Sequence, residues 1–288
     1  MSQTDVRARP LALVTGSSRG LGAATAIQLV ADGYDLVVTY RSKAVEAEAV
    51  AQECRVRGAQ VHIIELDLED TASIDSCFAA ISDLDRGLDV LVANAAATSF
   101  RPLIEAKRSH LERTFAISVF GFHQLVLGAI PLMRLNGGGR IVAVSGADTR
   151  TWIPGHGLLA AAKAAMESMV KYFGCELAGE NITTIGISPG WMDGDSIKMM
   201  LGPFYDMAID AERETHPMKQ AVTPAQAAEA IALLCRPEAQ WLNGSIVESD
   251  GAGVFAFAGR YSVMGAKAAL AGGAVAEHAA APSVPQNS

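Results

Sequence analysis

Positive charge is what this 288-residue sequence has least to spare: 23 Lys and Arg stand against 31 Asp and Glu, a formal charge of −8. Such a chain repels a phosphate backbone, and it has no basic arm to offset the repulsion, so nucleic acid is excluded as the expected partner. Cysteine is scarce too. Cys54, Cys77, Cys175 and Cys235 lie far apart, with no CxxC or Cys/His spacing. They predict free thiols in a reducing compartment and no metal site. The opening MSQTDVRARP is polar and lacks the apolar core of a secretory signal. No run of about 18 apolar residues is free of charges and breakers, so no membrane span is expected. The expectation is a soluble, cytoplasmic protein. With 50% apolar and 19% charged residues, it should bury a packed core.

What is present is an alternation. LALVTG (11–16) is a short apolar run of the kind that forms a fully buried parallel strand. AATAIQLVADG then has helical spacing and stops at Gly33. DLVVTY (35–40), QVHIIELD (60–67), LDVLVANAA (88–96), GRIVAVSG (139–146), NITTIGISPG (181–190) and GSIVESDG (244–251) read as further strands. Helical stretches separate them, including a long one over 108–135 and one holding Lys163. Strands alternating with helices predict right-handed βαβ units, hence an α/β fold of Rossmann type, a doubly wound parallel sheet covered on both faces. No linker interrupts the pattern, so residues 1–258 are expected to form one domain and 259–288 an Ala/Gly-rich, partly disordered tail. The Met-rich segment 191–222 follows a strand's carboxyl end, where ligands bind in such sheets. It is a candidate substrate lid, with an ordinary pair of surface helices as the alternative.

TGSSRGLG (15–22) lies between the first strand and the first helix. A glycine-rich turn there lets backbone N–H groups approach a pyrophosphate, and the helix dipole favours the negative charge. Gly16, Ser18, Arg19, Gly20, Leu21 and Gly22 are therefore candidate cofactor contacts. An acidic residue after the second strand would select NAD through the ribose hydroxyls. Tyr40-Arg41-Ser42 stand there instead. A guanidinium fork suits a 2′-phosphate, so Arg41, Ser42 and Arg19 point to NADPH/NADP.

With TGSSRGLG, Asp67 in ELDLED, NAA at 94–96, Lys163-Ala164-Ala165 and Pro189-Gly190, the chain resembles the short-chain dehydrogenase/reductase family in its single-domain branch, nearly to Gly251. The resemblance implies that Asp67 and Leu68 contact adenine and that Asn94 and Ala95 lie beside the adenosine ribose. It also implies that Lys163 binds the nicotinamide ribose, that Pro189 and Gly190 border the cofactor, and that the protein is a homodimer or homotetramer.

The departures from the family fall in the chemistry. The family's tyrosine, four residues before the lysine, is Leu159 here; its serine falls on Gly146, with Ser145 one place off; its asparagine falls on Ser118. The related enoyl-thioester reductases carry their tyrosine seven residues before the lysine, which here is His156. Seven residues are almost two turns, so His156 and Lys163 would share a helix face. Imidazole titrates in the right range to serve as a general acid. The alternative is a polar loop residue between Pro154-Gly155 and Gly157. Ser145, ending the fifth strand, is a candidate for binding a substrate carbonyl oxygen or for capping a turn. Asp148 and Asp193 would be acids if burial raised their pKa, against the commoner case of solvated loop carboxylates; Trp152 and Trp191 are expected to line a pocket or pack on the domain, and His123 to sit in the core or an interface. Tyr205 is a distant stand-in for the missing phenol.

These residues point to an NADPH-dependent reductase acting on a ketone or enone, polyketide-like or carrier-bound. An enoyl-thioester reductase using His156 and a redox-silent cofactor-binding protein or cyclase stand as alternatives.

Overall fold

The computed structural model describes residues 9–256, 259–260 and 263–264. The expected tail therefore lies outside the described residues apart from Gly259, Arg260, Val263 and Met264. Seven parallel strands form one sheet: β1 Leu11–Val14, β2 Asp35–Tyr40, β3 Val61–Glu65, β4 Val90–Ala93, β5 Gly139–Val144, β6 Ile182–Ser188 and β7 Ile246–Glu248. Their order is β3-β2-β1-β4-β5-β6-β7. The winding reverses between β1 and β4, which opens a crevice at the carboxyl ends of those strands.

Successive side chains in a strand face opposite ways, and here both faces are apolar. Leu11 and Leu13 of β1 join Leu91 and Ile141 under α3 (Thr71–Ser82), α5 (Gly121–Leu135) and α6 (Gly157–Leu177). Ala12 and Val14 join Val92 and Val142 under α1 (Gly20–Ala31), α2 (Ala44–Val56) and α9 (Pro224–Cys235). Each such leucine, isoleucine or valine contributes about 1.5–3 kcal/mol when fully buried. The helix ends follow local chemistry. Asp70 caps α3 by accepting from the Ala72 N–H, and Thr223 and Gln226 close a capping box on α9 with Pro224 in its first turn.

The stretch 108–135 is not the uniform helix that its composition predicts. Between α4 (Arg108–Phe115) and α5 the chain widens into a π-helical turn over Ala116–Phe120, centred on Ser118. Such insertions re-aim side chains and recur at functional sites. By length and composition Arg108–Leu135 is apolar enough to cross a membrane. Its apolarity has another account, because Phe122, Leu125, Val126, Ala129 and Met133 are buried against the sheet.

After β6, the segment anticipated as a lid folds into α7 (Asp195–Leu201) and α8 (Tyr205–Thr215). Its two ends are tied together: Met192 bridges Val222, and the Asp193 N–H donates to the Val222 carbonyl at 2.7 Å.

Candidate active site

The glycine turn is built to keep its backbone bare. A Cβ on Gly22 would lie 2.4 Å from the Gly16 carbonyl and 2.6 Å from the Asn94 amide nitrogen. Gly16 has φ +64°, a conformation that side chains rarely adopt. The turn is stapled from two sides. Thr39 Oγ1 accepts from the Gly16 N–H at 3.0 Å, while Ser17 Oγ donates to the Val14 carbonyl and accepts from the Thr39 N–H. Asn94 Nδ2 donates to the Thr15 carbonyl at 2.9 Å, and Thr15 Oγ1 accepts from the Asn94 and Ala95 N–H groups. Asn94, expected beside a ribose, thus also locks the turn to β4. No side chain caps the N-terminus of α1 among the described residues, so Gly20, Leu21 and Gly22 present helix-end N–H groups beside this cradle. Gly22→Ala is expected to abolish tight binding of a nicotinamide dinucleotide and to lower stability by about 1–3 kcal/mol through overpacking. Fluorescence titration and denaturant unfolding would check both.

The other cofactor candidates have the following surroundings. Arg19 and Ser42 are exposed and Ser18 is buried at the turn. Arg41 is exposed and donates to Glu69 at 3.1 Å, a carboxylate that Arg113 also engages. Asp67 Oδ1 accepts from the Glu69 N–H, and its own N–H donates to Ser73. Leu68 and Ala95 line a cavity with Thr15, Ser118, Met166 and Lys163. Gly190, after the buried Pro189, takes φ +75° against Asp250.

Lys163 is buried on α6, with Nζ donating to the Val144 carbonyl at 2.6 Å. Burial pulls its pKa from an ordinary 10.5 down to about 8, opposed by the carboxylates of Asp148 and Glu167. An ammonium has three donors, so protons remain for a ligand in the cavity. Ser118 Oγ, in the π turn on the far wall, is buried without a partner among the described residues.

Ser145, the candidate for a substrate carbonyl or a turn cap, is buried and engaged inside the protein. Its hydroxyl donates to Glu167 Oε1 at 2.6 Å, which commits its one proton beneath α6. Glu167 also accepts from Thr149 at 2.8 Å and from Arg150 at 2.7 Å, and Arg150 reaches on to Glu248 of β7. This network anchors the β5–α6 loop to the helix that carries the lysine.

His156 is the N-cap residue of α6, and it is buried rather than a free loop residue. Its Nδ1 meets Asp148 Oδ2 at 3.3 Å, its Nε2 lies 3.1 Å from Met200 Sδ of α7, and its ring packs on Phe100 with centroids 4.9 Å apart. Asp148, expected in solvent, is buried, because the short turn Ala147–Thr149 folds it back beneath the imidazole. Asp193 stays in the loop, where it accepts from the Tyr205 hydroxyl and pairs with Arg213. The bond to Asp193 pushes the Tyr205 phenol up to about 12, which makes it a poor stand-in acid. Trp191 is buried against the guanidinium of Arg260, itself ion-paired with Glu212, so it packs on the domain. Trp152 is exposed, and so is His123, whose ring lies near Phe173.

Sequence reasoning missed Glu167, Thr15, Met200 and the pairing of Asp148 with His156. Glu167 was within reach, since it lies one turn after Lys163 on the same helix. The other three meet their partners only through loop and strand geometry.

Comparison with known proteins agrees with this architecture. A family model described as Enoyl-(Acyl carrier protein) reductase matches residues 16–253. The 1-cyclohexenylcarbonyl-CoA reductase of Streptomyces collinus is 30% identical over 84% of this chain and 86% of its own. An NADPH-dependent aldehyde reductase-like chloroplastic protein of Arabidopsis thaliana is 29% identical over 84% of this chain and 93% of its own. Among solved structures, the promiscuous reductase LugOII, which catalyses keto-reduction at C1 during lugdunomycin biosynthesis, superposes with a TM-score of 0.77. It is 25% identical and covers 85% of this chain and 98% of its own.

Proposed function

The chain belongs to the short-chain dehydrogenase/reductase family and is an enzyme of that type, and we propose that it is an NADPH-dependent reductase of a ketone or enone in which His156 supplies the proton. The observation that carries the reading is a buried imidazole, held at Nδ1, at the start of the helix that holds Lys163 and at the carboxyl edge of the sheet.

The residues fit a dinucleotide. The bare cradle at Gly16 and Gly22 and the uncapped end of α1 would hold the pyrophosphate. Lys163 would bind the nicotinamide ribose through its free ammonium protons. When bound, the reduced nicotinamide supplies a hydride to an electrophilic carbon. Whether that carbon belongs to a C=O or to a conjugated C=C, the electron pair moves onto the carbonyl oxygen. His156 delivers a proton from Nε2 to that oxygen, and Lys163 supplies positive charge nearby. Segment 191–222 acts as the lid, because Met200 Sδ of α7 already meets the imidazole at Nε2.

Selection of NADPH is supported by the absence of an acid after β2 and by exposed Arg19 and Arg41. Arg41 would exchange the Glu69 carboxylate for the 2′-phosphate. Arg41→Ala is expected to weaken NADPH binding by about tenfold, the worth of one charge-assisted contact, and to leave NADH binding unchanged. Parallel fluorescence titrations test this, and equal losses for both nucleotides would remove Arg41 from the phosphate site.

Reduction of an enoyl thioester is the second reading, favoured by the spacing of His156 from Lys163 and by the similarity to a cyclohexenylcarbonyl-CoA reductase. Either substrate arrives free or carrier-bound. A homodimer or homotetramer belongs to the same proposal, supported by exposed Phe120, Leu127 and Tyr172 along the α5 and α6 side. A cytoplasmic location is supported by four unpaired cysteines.

A further inference from the structure

We propose that Asp148 is the positioning residue for His156, and that Gly146 is glycine in order to make room for it. The inference rests on the reading of His156 as proton donor.

Three observations lead here. First, Asp148 is a buried carboxylate that is only half satisfied. Its side chain is 3% exposed; Oδ2 meets His156 Nδ1, and Oδ1 has no hydrogen-bond partner among the described residues. Burying a carboxylate on such terms costs stability, so packing gives no reason for it. Second, its position is enforced. Within the Ala147–Thr149 turn, Arg150 and Thr151 N–H both donate to the Ala147 carbonyl, and Thr149 Oγ1 bonds the Gly146 carbonyl and Glu167. His156 is fixed as firmly, by its N–H to the Ile153 carbonyl, by the Ala160 N–H on its own carbonyl, and by the Phe100 ring. Third, a Cβ on Gly146 would stand 2.7 Å from Asp148 Oδ1. Gly146 has φ −158°, open to any residue, so space and not backbone conformation calls for glycine. A serine at 146 and the carboxylate at its present place exclude each other. The missing hydroxyl at 146 and the acid at 148 are thus one structural change.

The chemistry follows from the tautomer. A carboxylate at Nδ1 keeps the proton on that nitrogen, so Nε2 becomes the nitrogen that gains and loses one. In the reductive step the imidazolium gives the Nε2 proton to the substrate oxygen as the hydride reaches carbon. Neutral imidazole remains, still donating from Nδ1 to Asp148, and solvent restores the proton. The carboxylate keeps its charge throughout.

The test is Asp148→Asn, read by imidazole nitrogen NMR and by steady-state kinetics. The amide can donate to Nδ1, which moves the proton of neutral His156 to Nε2. Expected results are that change of tautomer, a fall in kcat of roughly 10²-fold, and an unchanged dissociation constant for NADPH. In the His156→Phe background the same substitution should cost nothing further. Gly146→Ala provides a second variant that keeps the charge; by displacing Oδ1 it should lower kcat by about tenfold without weakening NADPH. The inference is overturned if both Asp148→Asn and Gly146→Ala keep kcat within about threefold, or if Asp148→Asn lowers kcat equally with and without His156. If His156→Phe itself turns over normally, the donor reading falls first; loss in His156→Phe with none in Asp148→Asn or Gly146→Ala sinks this inference alone.

Discussion

His156→Phe is expected to lower turnover by about 10²–10⁴-fold, the usual worth of a general acid, with NADPH affinity unchanged. Phenylalanine keeps a flat ring against Phe100, so the loop has reason to hold its course. The substitution leaves Asp148 buried without its partner, which costs roughly 1–3 kcal/mol of stability. Rates should therefore be compared well below the melting temperature of the variant. Single-turnover NADPH oxidation separates the two effects: binding amplitude is retained and the hydride step slows. Full turnover in the variant would move the proton source to a water or to the substrate itself.

Lys163→Met is expected to abolish turnover and to change how stability depends on pH. The folded lysine titrates near 8 because burial disfavours its charge, while the unfolded lysine titrates near 10.5. Below pH 8 both states are protonated, and the fold carries the full cost of a buried charge. Between about 8 and 10.5 the unfolded chain binds more protons, so this lysine makes stability rise with pH, by roughly 3 kcal/mol in all. The buried thiols Cys54 and Cys77 work in the opposite direction. Burial pushes them up to about 11 and about 12, so their ionisation favours the unfolded chain as pH rises. They are common to both proteins and cancel in the difference. The stability advantage of the methionine variant should accordingly shrink by roughly 3 kcal/mol from pH 8 to pH 10.5 in urea unfolding. A constant difference across that range would show that Lys163 is not held in a dry site.

The fold was legible because it is written in local patterns. Leu11–Val14 is a continuous apolar run closed by Gly16, and Ile182–Ser188 is a β-branched-rich run closed by Pro189-Gly190, and such signals survive without tertiary context. The candidate cofactor cradle was legible for the same reason: Gly16 to Gly22 is one contiguous motif whose strand and helix flank it. The candidate catalytic centre was legible only in part. His156 stood out through its spacing from Lys163, both on or next to one helix. Asp148 was read as solvated because nothing in GADTRTWIPGH tells that a three-residue turn will fold the carboxylate under an imidazole eight positions later. The bond from Ser145 to Glu167 was hidden in the same way, since that partner is reached across a strand-to-helix packing contact. The π turn at Ser118 was invisible because its composition is that of an ordinary apolar helix.

The central claim is that this altered centre still moves a hydride from NADPH. It is tested most directly by following NADPH absorbance with purified protein and a panel of aryl ketones, cyclic enones and enoyl-CoA thioesters, with product identification for every positive. The account predicts stoichiometric oxidation of NADPH with at least one of them, at least about tenfold faster than with NADH, yielding an alcohol or a saturated carbonyl compound. NADPH that binds tightly yet stays unoxidised with every member of the panel would contradict it, and would make the protein a redox-silent binder of the dinucleotide.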